Sequence, residues 1–181
     1  MRGGVDLIQL RDKSLDDDAL VQAAKGFVGH DALFILNDRP DLVEACGADG
    51  IHVGQDDDPP RIARAAVGPD RIVGRSTHAP EQAAAAQADE DVDYLAVGPV
   101  HVTPTKPGRP AAGLDYVAHA ASTVTKPWFA IGGLDAGNVH EIVERGATRI
   151  VVVRAITEAA DPEVAARALR DALEGRVGAR R

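Results

Sequence analysis

The hydrophobic pattern of the chain alternates short apolar runs with longer segments in which apolar residues recur at helical spacing. The short runs lack a strict alternation of apolar and polar residues, which predicts strands that are buried on both faces. Seven strands are predicted in this way: Val5–Leu10, Leu33–Leu36, Gly50–Val53, Arg71–Gly74, Tyr94–Val97, Trp128–Ile131 and Arg149–Val153. A helix is predicted after each strand, and Asp, Ser or Pro residues that favour helix N-termini open several of them.

This βα alternation is typical of a parallel α/β protein. Repeated right-handed crossovers form either an open sheet or a (β/α)₈ barrel. Polar residues follow every strand, and no Gly-x-Gly-x-x-Gly follows the first strand, so the pattern favours the barrel over a dinucleotide-binding sheet. Only four residues precede Val5. We therefore predict an α/β fold of the TIM (β/α)₈ type that lacks its first βα unit.

The missing unit has consequences for the behaviour of the chain. A barrel without its first strand would leave the strands at Val5–Leu10 and Arg149–Val153 with unpaired edges, which favour self-association. The chain is therefore expected to be an N-terminally shortened form that is poorly soluble or weakly active alone, and a homo-oligomer is an open alternative. Residues 1–175 are predicted to form a single barrel domain, and residues 176–181 a disordered tail.

Composition narrows the class of protein. The 181 residues are 45% hydrophobic and only 3% aromatic, which is enough for one aliphatic core. A net charge of −8 without a basic stripe disfavours nucleic acid as a partner. The single cysteine, Cys46, excludes an internal disulfide, and no apolar run approaches the roughly 20 residues of a membrane span. These features predict a cytoplasmic protein with no membrane partner.

Charged side chains follow the first three predicted strands. Gln9, Arg11 and Lys13 alternate and therefore point the same way on an extended backbone. Asn37 and Asp38 follow the second strand, and three aspartates follow the third: Asp56, Asp57 and Asp58. Carboxylates close to cations are the usual provision for Mg²⁺ bound to a polyphosphate, although one or two of these aspartates are also expected to cap the next helix.

A second group of polar residues follows the fifth strand. Thr103, Thr105 and Lys106 offer two hydroxyl groups and an ammonium group, and Pro104 and Pro107 restrict the backbone that carries them. An ordinary solvent-facing turn has the same composition. The recurrence of polar loops after the other strands favours an anion-binding loop.

Two short segments stand at the ends of the last two predicted strands. Gly132 and Gly133 follow the sixth strand, and Val153 and Arg154 stand at the end of the seventh. Barrels commonly bind a phosphate with backbone N–H groups of the two corresponding loops. The sequence therefore predicts two anion sites, and two phosphorylated substrates explain them better than one.

These residues form motifs that closely resemble the thiamine phosphate synthase family. Six motifs occur in order and at compatible spacing over residues 4 to 157: Gln9-x-Arg11-x-Lys13, Asn37-Asp38, His52-Val-Gly-Gln-Asp-Asp57, Gly74-x-Ser76-Thr-His78, Gly98-Pro-x-x-x-Thr103-x-Thr-Lys106 and Ile131-Gly-Gly133. The resemblance implies a (β/α)₈ barrel that joins a pyrimidine diphosphate to a thiazole phosphate and releases pyrophosphate with Mg²⁺.

The resemblance also implies roles at the matching positions. Gln9 would contact the pyrimidine, Ser76 would bond near the leaving group, and Asp38 and Asp57 would ligate Mg²⁺. The pyrophosphate would be held by Arg11, Lys13, Lys106 and Asn37. The expected catalytic residues are Arg11, Lys13, Ser76 and Lys106. The thiazole phosphate would be bound by the hydroxyls of Thr103 and Thr105 and the N–H groups of Gly133, Val153 and Arg154.

Two departures from the family pattern stand out. The family normally has a further N-terminal strand that supplies an aromatic side chain to the thiazole side. Position 154, where the family usually has serine, is arginine in this chain. Because the resemblance implies phosphate binding through a backbone N–H there, the substitution leaves that role in place or adds a charge contact.

Three other functions are weighed against this one. A thiazole tautomerase or a non-catalytic barrel that binds thiazole phosphate would need neither the pyrophosphate-binding cations nor the paired aspartates. A zinc hydrolase would use His52, His78 and His101, which lie near strand ends. Their spacing matches no usual zinc motif, so this alternative is the weakest.

Overall fold

The computed structural model of the chain describes residues 2–103 and 110–175. Strands and helices alternate along these residues. The strands are β1 (Leu7–Leu10), β2 (Leu33–Asn37), β3 (Gly50–Val53), β4 (Ile72–Thr77), β5 (Tyr94–Val97), β6 (Trp128–Ile131) and β7 (Ile150–Val151). The helices are α1 (Asp17–Ala24), a 3₁₀ helix (Pro40–Leu42), α2 (Val43–Cys46), α3 (Pro60–Val67), α4 (Pro80–Ala88), α5 (Gly113–Thr123), α6 (Val139–Glu144), α7 (Arg154–Thr157) and α8 (Pro162–Leu173).

The strand order in the sheet follows the chain order from β1 to β7. The pairs β1–β2, β2–β3, β3–β4, β5–β6 and β6–β7 all run parallel. Helices connect successive strands, as parallel pairing requires. The predicted α/β fold with seven parallel strands is therefore confirmed for the described part of the chain.

The contacts divide the chain into two compact units. The first contains residues 5–76 and 89–94, and the second contains residues 2–4, 77–88, 95–103 and 110–175. The single domain over residues 1–175 stays a prediction. The tail at 176–181 lies outside the described residues.

The core of the first unit lies between its helices and one face of its strands. Its buried side chains come from α1, α2, α3 and the strands β2 to β4, and include Leu20, Ala24, Phe34, Leu36, Val43, Cys46, Ile51, Val53, Ala63, Val67 and Val73. Within each strand these are alternate residues, because successive side chains point to opposite faces. The residues between them along each strand point to the opposite face of the sheet.

That other face combines small and polar residues in register. Asn37 is the strand partner of His52, and His52 is the partner of Gly74. Gly74 leaves room for the aromatic ring of Tyr94, because a Cβ added at Gly74 would overlap that ring and lie 2.5 Å from its hydroxyl oxygen. His52 and Tyr94 are nevertheless buried. Polar side chains are therefore buried on this face of the strands of the first unit.

The second unit has an aliphatic core of its own. Its buried side chains come from β5, β6 and the helices α5, α6 and α8, and include Leu95, Val97, Val117, Ala130, Val139, Ile142 and Leu169. Tyr116 donates a hydrogen bond of 2.7 Å to the Thr77 hydroxyl, which donates in turn to the carbonyl of Ala96 at 3.0 Å. The hydroxyl groups of both side chains are therefore satisfied inside the unit.

Several boundaries differ from the predicted ones. β4 runs on to Thr77, because the polar residues at its end find partners instead of ending the strand. The sequence predicts a helix that is capped by Asp135 and runs to Arg145, but α6 begins at Val139, since the Asp135 carboxylate accepts from the N–H of Gly137 at 2.7 Å and holds a turn there. β7 is shorter than predicted, and the short helix α7 beginning at Arg154 was not predicted.

In the part of the chain that the structure describes, we find no helix with the length and apolar character needed to cross a membrane.

Replacement of Gly74 by alanine should destabilise the first unit. The added methyl group would overlap the Tyr94 ring and displace it, at a cost of about 1–3 kcal/mol for overpacking. Urea unfolding of the variant and the parent protein measures this change in the free energy of unfolding.

Gly26→Ala is the matched control, because the nearest atom to a Cβ at Gly26 is 3.6 Å away. Its free energy of unfolding should stay within about 0.5 kcal/mol of the parent. Equal destabilisation by both substitutions would show that the Tyr94 ring is not the cause.

Candidate active site

One ammonium group lies between two carboxylates at the carboxyl ends of β1, β2 and β3. Lys13 Nζ forms an ion pair with Asp38 Oδ2 and lies 3.5 Å from Asp57 Oδ1. The side chains of Asp38 and Asp57 are only 15% and 21% exposed, whereas that of Lys13 is 54% exposed. Two largely shielded carboxylates therefore face a cation that can reach solvent.

The charge on Lys13 is stabilised by its neighbours. The hydrogen bond to Asp38 is the largest cause and raises the pKa of the Lys13 ammonium group. Burial lowers it, and the carboxylate charges of Asp38 and Asp57 add to the rise, which prevails. Lys13 is therefore a fixed positive charge at neutral pH.

Backbone conformation determines where Asp38 lies. Its φ of 49° is in the left-handed region, which aspartate tolerates better than most residues. The N–H of Asp38 donates to the carbonyl of His52 at 2.9 Å, which extends the pairing of β2 with β3 by one residue. The next residue, Arg39, forms ion pairs of 2.7 Å with Asp17 and Asp41 and so fixes this loop against the start of α1.

The Asp57 carboxylate is held by its own loop. Asp57 Oδ2 accepts from the N–H of Gly54 at 2.7 Å. The other oxygen, Oδ1, is the one that approaches Lys13. Each carboxylate of the pair thus presents an oxygen to the same cation.

A chain of hydrogen bonds crosses the polar face of the first unit. His52 Nε2 lies 2.8 Å from Ser76 Oγ, and His52 Nδ1 lies 2.9 Å from the Tyr94 hydroxyl. The side chain of Gln9 also bonds to Tyr94. Burial raises the pKa of the Tyr94 phenol, so it stays neutral and able to donate. The network brings together Gln9 and Ser76, two residues that the family resemblance assigns to substrate binding.

His52 and Tyr94 are the residues of this network whose roles the sequence does not reveal. The sequence suggests His52 as a zinc ligand and includes it in a family motif without giving it a role there, and it suggests Tyr94 only as part of a strand. Tyr94 and His52 are 42 residues apart, so their contact depends on strand register that the sequence pattern does not give. The only hint of this contact in the sequence is the glycine at position 74. The structure aligns Gly74 with His52, and its missing side chain leaves space for the Tyr94 ring.

The remaining predicted residues of the first unit lie near these groups in the chain. Asn37 is half-buried at the end of β2, next to Asp38. Arg11 is exposed after the end of β1. The structure thus keeps the Arg11 guanidinium group available to solvent, on the segment that carries Lys13.

The second unit contains the glycine turn of the predicted backbone site. Gly132 and Gly133 follow β6 with φ values of 108° and 65°. A Cβ added at Gly133 would lie 2.8 Å from that of His101, and the N–H of His101 donates to the carbonyl of Gly132 at 3.0 Å. The two glycines therefore allow a close approach of this turn to the loop after β5, in which Thr103 is half-buried.

The other predicted members of that site are placed only in part. Val153 and Arg154 are exposed where β7 passes into α7. Thr105 and Lys106 lie outside the described residues. The contact of Val153 and Arg154 with an anion stays a prediction.

The three histidines of the zinc alternative have separate partners. His52 bonds within the network above, His78 Nδ1 lies 2.5 Å from the Gly98 carbonyl, and His101 Nε2 lies 3.5 Å from Glu141 Oε2. Among residues 2–103 and 110–175, no group of three or more His, Cys, Asp or Glu side chains could hold a metal ion. Asp38 and Asp57 offer two oxygen ligands, which suits a cation such as Mg²⁺ that keeps waters and binds substrate phosphates.

Comparison with known proteins gives one consistent result. Residues 1–156 match the family model described as thiamine monophosphate synthase. A thiamine-phosphate synthase from Thermus thermophilus is 53% identical over 180 residues, covering 97% of this chain and 86% of the relative. One from Mycobacterium sp. (strain KMS) is 52% identical over 190 residues, covering 97% and 84%.

A solved structure extends this result to the fold. The thiamine phosphate pyrophosphorylase from Pyrococcus furiosus superposes with a TM-score of 0.82 at 31% sequence identity, covering 98% of this chain and 87% of that one. The family model spans most of the chain, and relatives more than half identical span nearly all of it. This chain therefore belongs to the thiamine monophosphate synthase family.

Proposed function

We propose that this protein is a transferase of thiamine biosynthesis that joins an aminopyrimidine diphosphate to a thiazole phosphate, giving thiamine phosphate and pyrophosphate. The family membership supports the reaction. The observation that carries the chemistry is the Lys13 ammonium group between the carboxylates of Asp38 and Asp57. The tautomerase and non-catalytic alternatives are not favoured, because neither needs this arrangement.

The reaction requires no nucleophilic side chain. The bond between the pyrimidine methylene carbon and the pyrophosphate oxygen breaks, and its electron pair leaves with pyrophosphate. The amino group of the pyrimidine stabilises the resulting cation, and the thiazole nitrogen donates its lone pair to the methylene carbon. The protein therefore has to orient the substrates and stabilise the charge of the leaving group.

We assign the pyrimidine half of the reaction to the first unit. Gln9 and Ser76 would contact the pyrimidine and the leaving group, and their link through His52 and Tyr94 would keep both side chains oriented. Arg11, Lys13 and Asn37 of this unit would bind the pyrophosphate. Lys106, which lies outside the described residues, is proposed to bind it as well, as the resemblance implies. Lys13 is suited to this role because it is the most exposed member of its cluster and can turn towards an anion.

Asp38 and Asp57 would hold the Mg²⁺ ion that this family membership suggests. Both carboxylates converge on a cation in this structure, so the donor set fits a divalent cation. When bound, Mg²⁺ supplies positive charge that offsets the developing charge of pyrophosphate.

The thiazole phosphate would bind in the second unit. The hydroxyl groups of Thr103 and Thr105 and the backbone N–H groups of Gly133, Val153 and Arg154 are proposed to contact it. The closely packed glycine turn supports this assignment, because backbone N–H groups that are not shielded by a Cβ can approach an anion.

Three broader assignments remain part of this proposal. The strand order and the likeness to the Pyrococcus furiosus structure support a (β/α)₈-type barrel as the architecture. A cytoplasmic place of action agrees with a biosynthetic role. Self-association stays a prediction, which light scattering of the purified chain tests.

The direct test of the function is to incubate the purified protein with both substrates and Mg²⁺ and to assay thiamine phosphate. We expect Asp38→Asn and Asp57→Asn each to lower kcat/KM at least about 100-fold, which corresponds to roughly 2.7 kcal/mol of transition-state stabilisation. Both substitutions keep the side-chain size, remove the charge and replace one carboxylate oxygen by an amide NH2 group.

Asp58→Asn is the control, because Asp58 is exposed in the same loop. It should retain the activity of the parent protein. Product formation that is unchanged in both active-site variants and in the absence of divalent cations would contradict the metal assignment, and no product from the parent protein would contradict the reaction.

Replacement of Gly133 by alanine should weaken the binding of thiazole phosphate while leaving the pyrimidine substrate unaffected. The methyl group would lie 2.8 Å from the Cβ of His101 and 3.1 Å from the carbonyl of Val102, and must displace the turn. Isothermal titration of each substrate separately measures the two affinities, and we expect a loss of about tenfold for thiazole phosphate alone, equivalent to about 1.4 kcal/mol.

Gly113→Ala controls for backbone strain, because Gly113 has a similar positive φ of 79° but no atom within 4 Å of an added Cβ. It should leave both affinities unchanged. Equal losses for both substrates in Gly133→Ala would indicate one shared site and contradict the division proposed above.

A further inference from the structure

The loop that carries Asp57 is attached to the end of β4 by two side chains. Arg75 donates a hydrogen bond of 2.6 Å to the carbonyl of Gly54, and Gln55 donates one of 2.6 Å to the carbonyl of Ser76. One bond runs from strand to loop and the other from loop to strand. The segment from Gly54 to Asp57 is therefore attached to β4 at its first two residues, Gly54 and Gln55.

The Gly54 peptide connects this attachment to the carboxylate. Its carbonyl accepts from Arg75, and its N–H donates to Asp57 Oδ2 at 2.7 Å. The Gly54 carbonyl also accepts from the N–H of Asp57 at 3.4 Å, so the atom that Arg75 holds contacts the backbone of Asp57, and the Gly54 N–H contacts its carboxylate. With Oδ2 engaged in this way, Oδ1 is the oxygen presented to Lys13.

Burial and nearby carboxylates act in opposite directions on the charge of Arg75. The guanidinium group is half-buried, and burial is the main cause that lowers its pKa, while the carboxylates of Asp57, Asp89 and Asp56 oppose this shift. A half-buried cation that donates to a carbonyl satisfies its desolvated N–H group, which is costly to leave unpaired.

We propose that Arg75 and Gln55 are positioning residues that fix the Gly54–Asp57 loop on β4 and so set the place of the Asp57 carboxylate as a ligand for the divalent cation. This inference rests on the proposed function, because it takes Asp57 to be a metal ligand. The two hydrogen bonds that attach the loop are accepted by backbone carbonyl groups, and neither is accepted by the Asp57 carboxylate itself. Their effect on the cation would pass through the Gly54 peptide.

The test uses Mn²⁺ in the presence of inorganic pyrophosphate, with the Kd of Mn²⁺ measured by electron paramagnetic resonance on the full chain. Arg75→Met and Gln55→Leu should each raise this Kd about tenfold, the lower end of what the loss of a group supporting a metal ligand usually costs. Arg75→Lys keeps the charge and a donor group without the planar guanidinium shape, and should recover part of the affinity.

Two outcomes would contradict the positioning role. If Arg75 acted only through its charge, Arg75→Met would lower the Kd for Mn²⁺ and the neutral change Gln55→Leu would leave it unchanged. If the two residues only stabilised the fold, the melting temperature would fall while the Kd stayed the same. Either result overturns the proposal.

Arg71→Met is the matched control, because Arg71 is another half-buried arginine whose side chain donates to a backbone carbonyl, that of Val67 at 3.2 Å. It lies before the start of β4, away from the loop of Asp57, and should leave the Kd for Mn²⁺ unchanged. A tenfold rise in this variant would show that the effect is not specific to Arg75.

A second measurement separates failure of this inference from failure of the proposed function. Hydrogen exchange at the Gly54 amide should become faster in Arg75→Met, whether or not a metal is present. If Asp57→Asn binds Mn²⁺ as tightly as the parent protein, Asp57 is not a ligand and the metal assignment fails together with this inference. If Asp57→Asn loses binding while Arg75→Met changes neither Kd nor Gly54 exchange, only the positioning role is wrong.

Discussion

The pairing of two carboxylates with one cation is the constraint on which the first unit depends. Asp38 and Asp57 are largely shielded from water, and two such charges at close range repel each other unless a cation lies between them. Lys13 supplies that charge in the free protein. The loops after β2 and β3 can therefore keep their anionic ends close together, provided that a cation, from the protein or from solution, always accompanies them.

The same requirement explains how the surrounding polar groups are arranged. Buried polar atoms are costly unless they are paired, and the face of the strands behind the cluster pairs them in series, from Gln9 through Tyr94 and His52 to Ser76. Such a network leaves each side chain few orientations. Rigidity of this kind suits a reaction in which the protein orients the reactants and supplies no covalent partner.

The sequence predicted the class of fold and the convergence of charges, but not the supporting contacts. Alternating apolar runs and polar strand ends were enough to predict a parallel α/β fold with Lys13, Asp38 and Asp57 on one edge, because parallel strands bring their carboxyl ends together. The contacts of His52 and Arg75 depend on strand register and on a β4 that runs past its apolar part. Those features follow from packing between segments that are distant in the sequence, and no local pattern records them.

The left-handed backbone at Asp38 links the chemistry of the site to the choice of amino acid. A φ of 49° costs most side chains about 1 kcal/mol or more, whereas aspartate and asparagine are among the few that accept it with little strain. Glutamate carries the same charge but lacks this tolerance, so lengthening the acid would strain the backbone as well as move the charge. Position 38 therefore has two requirements, a negative charge and a left-handed backbone. Aspartate meets both with little strain, whereas glutamate meets only the first.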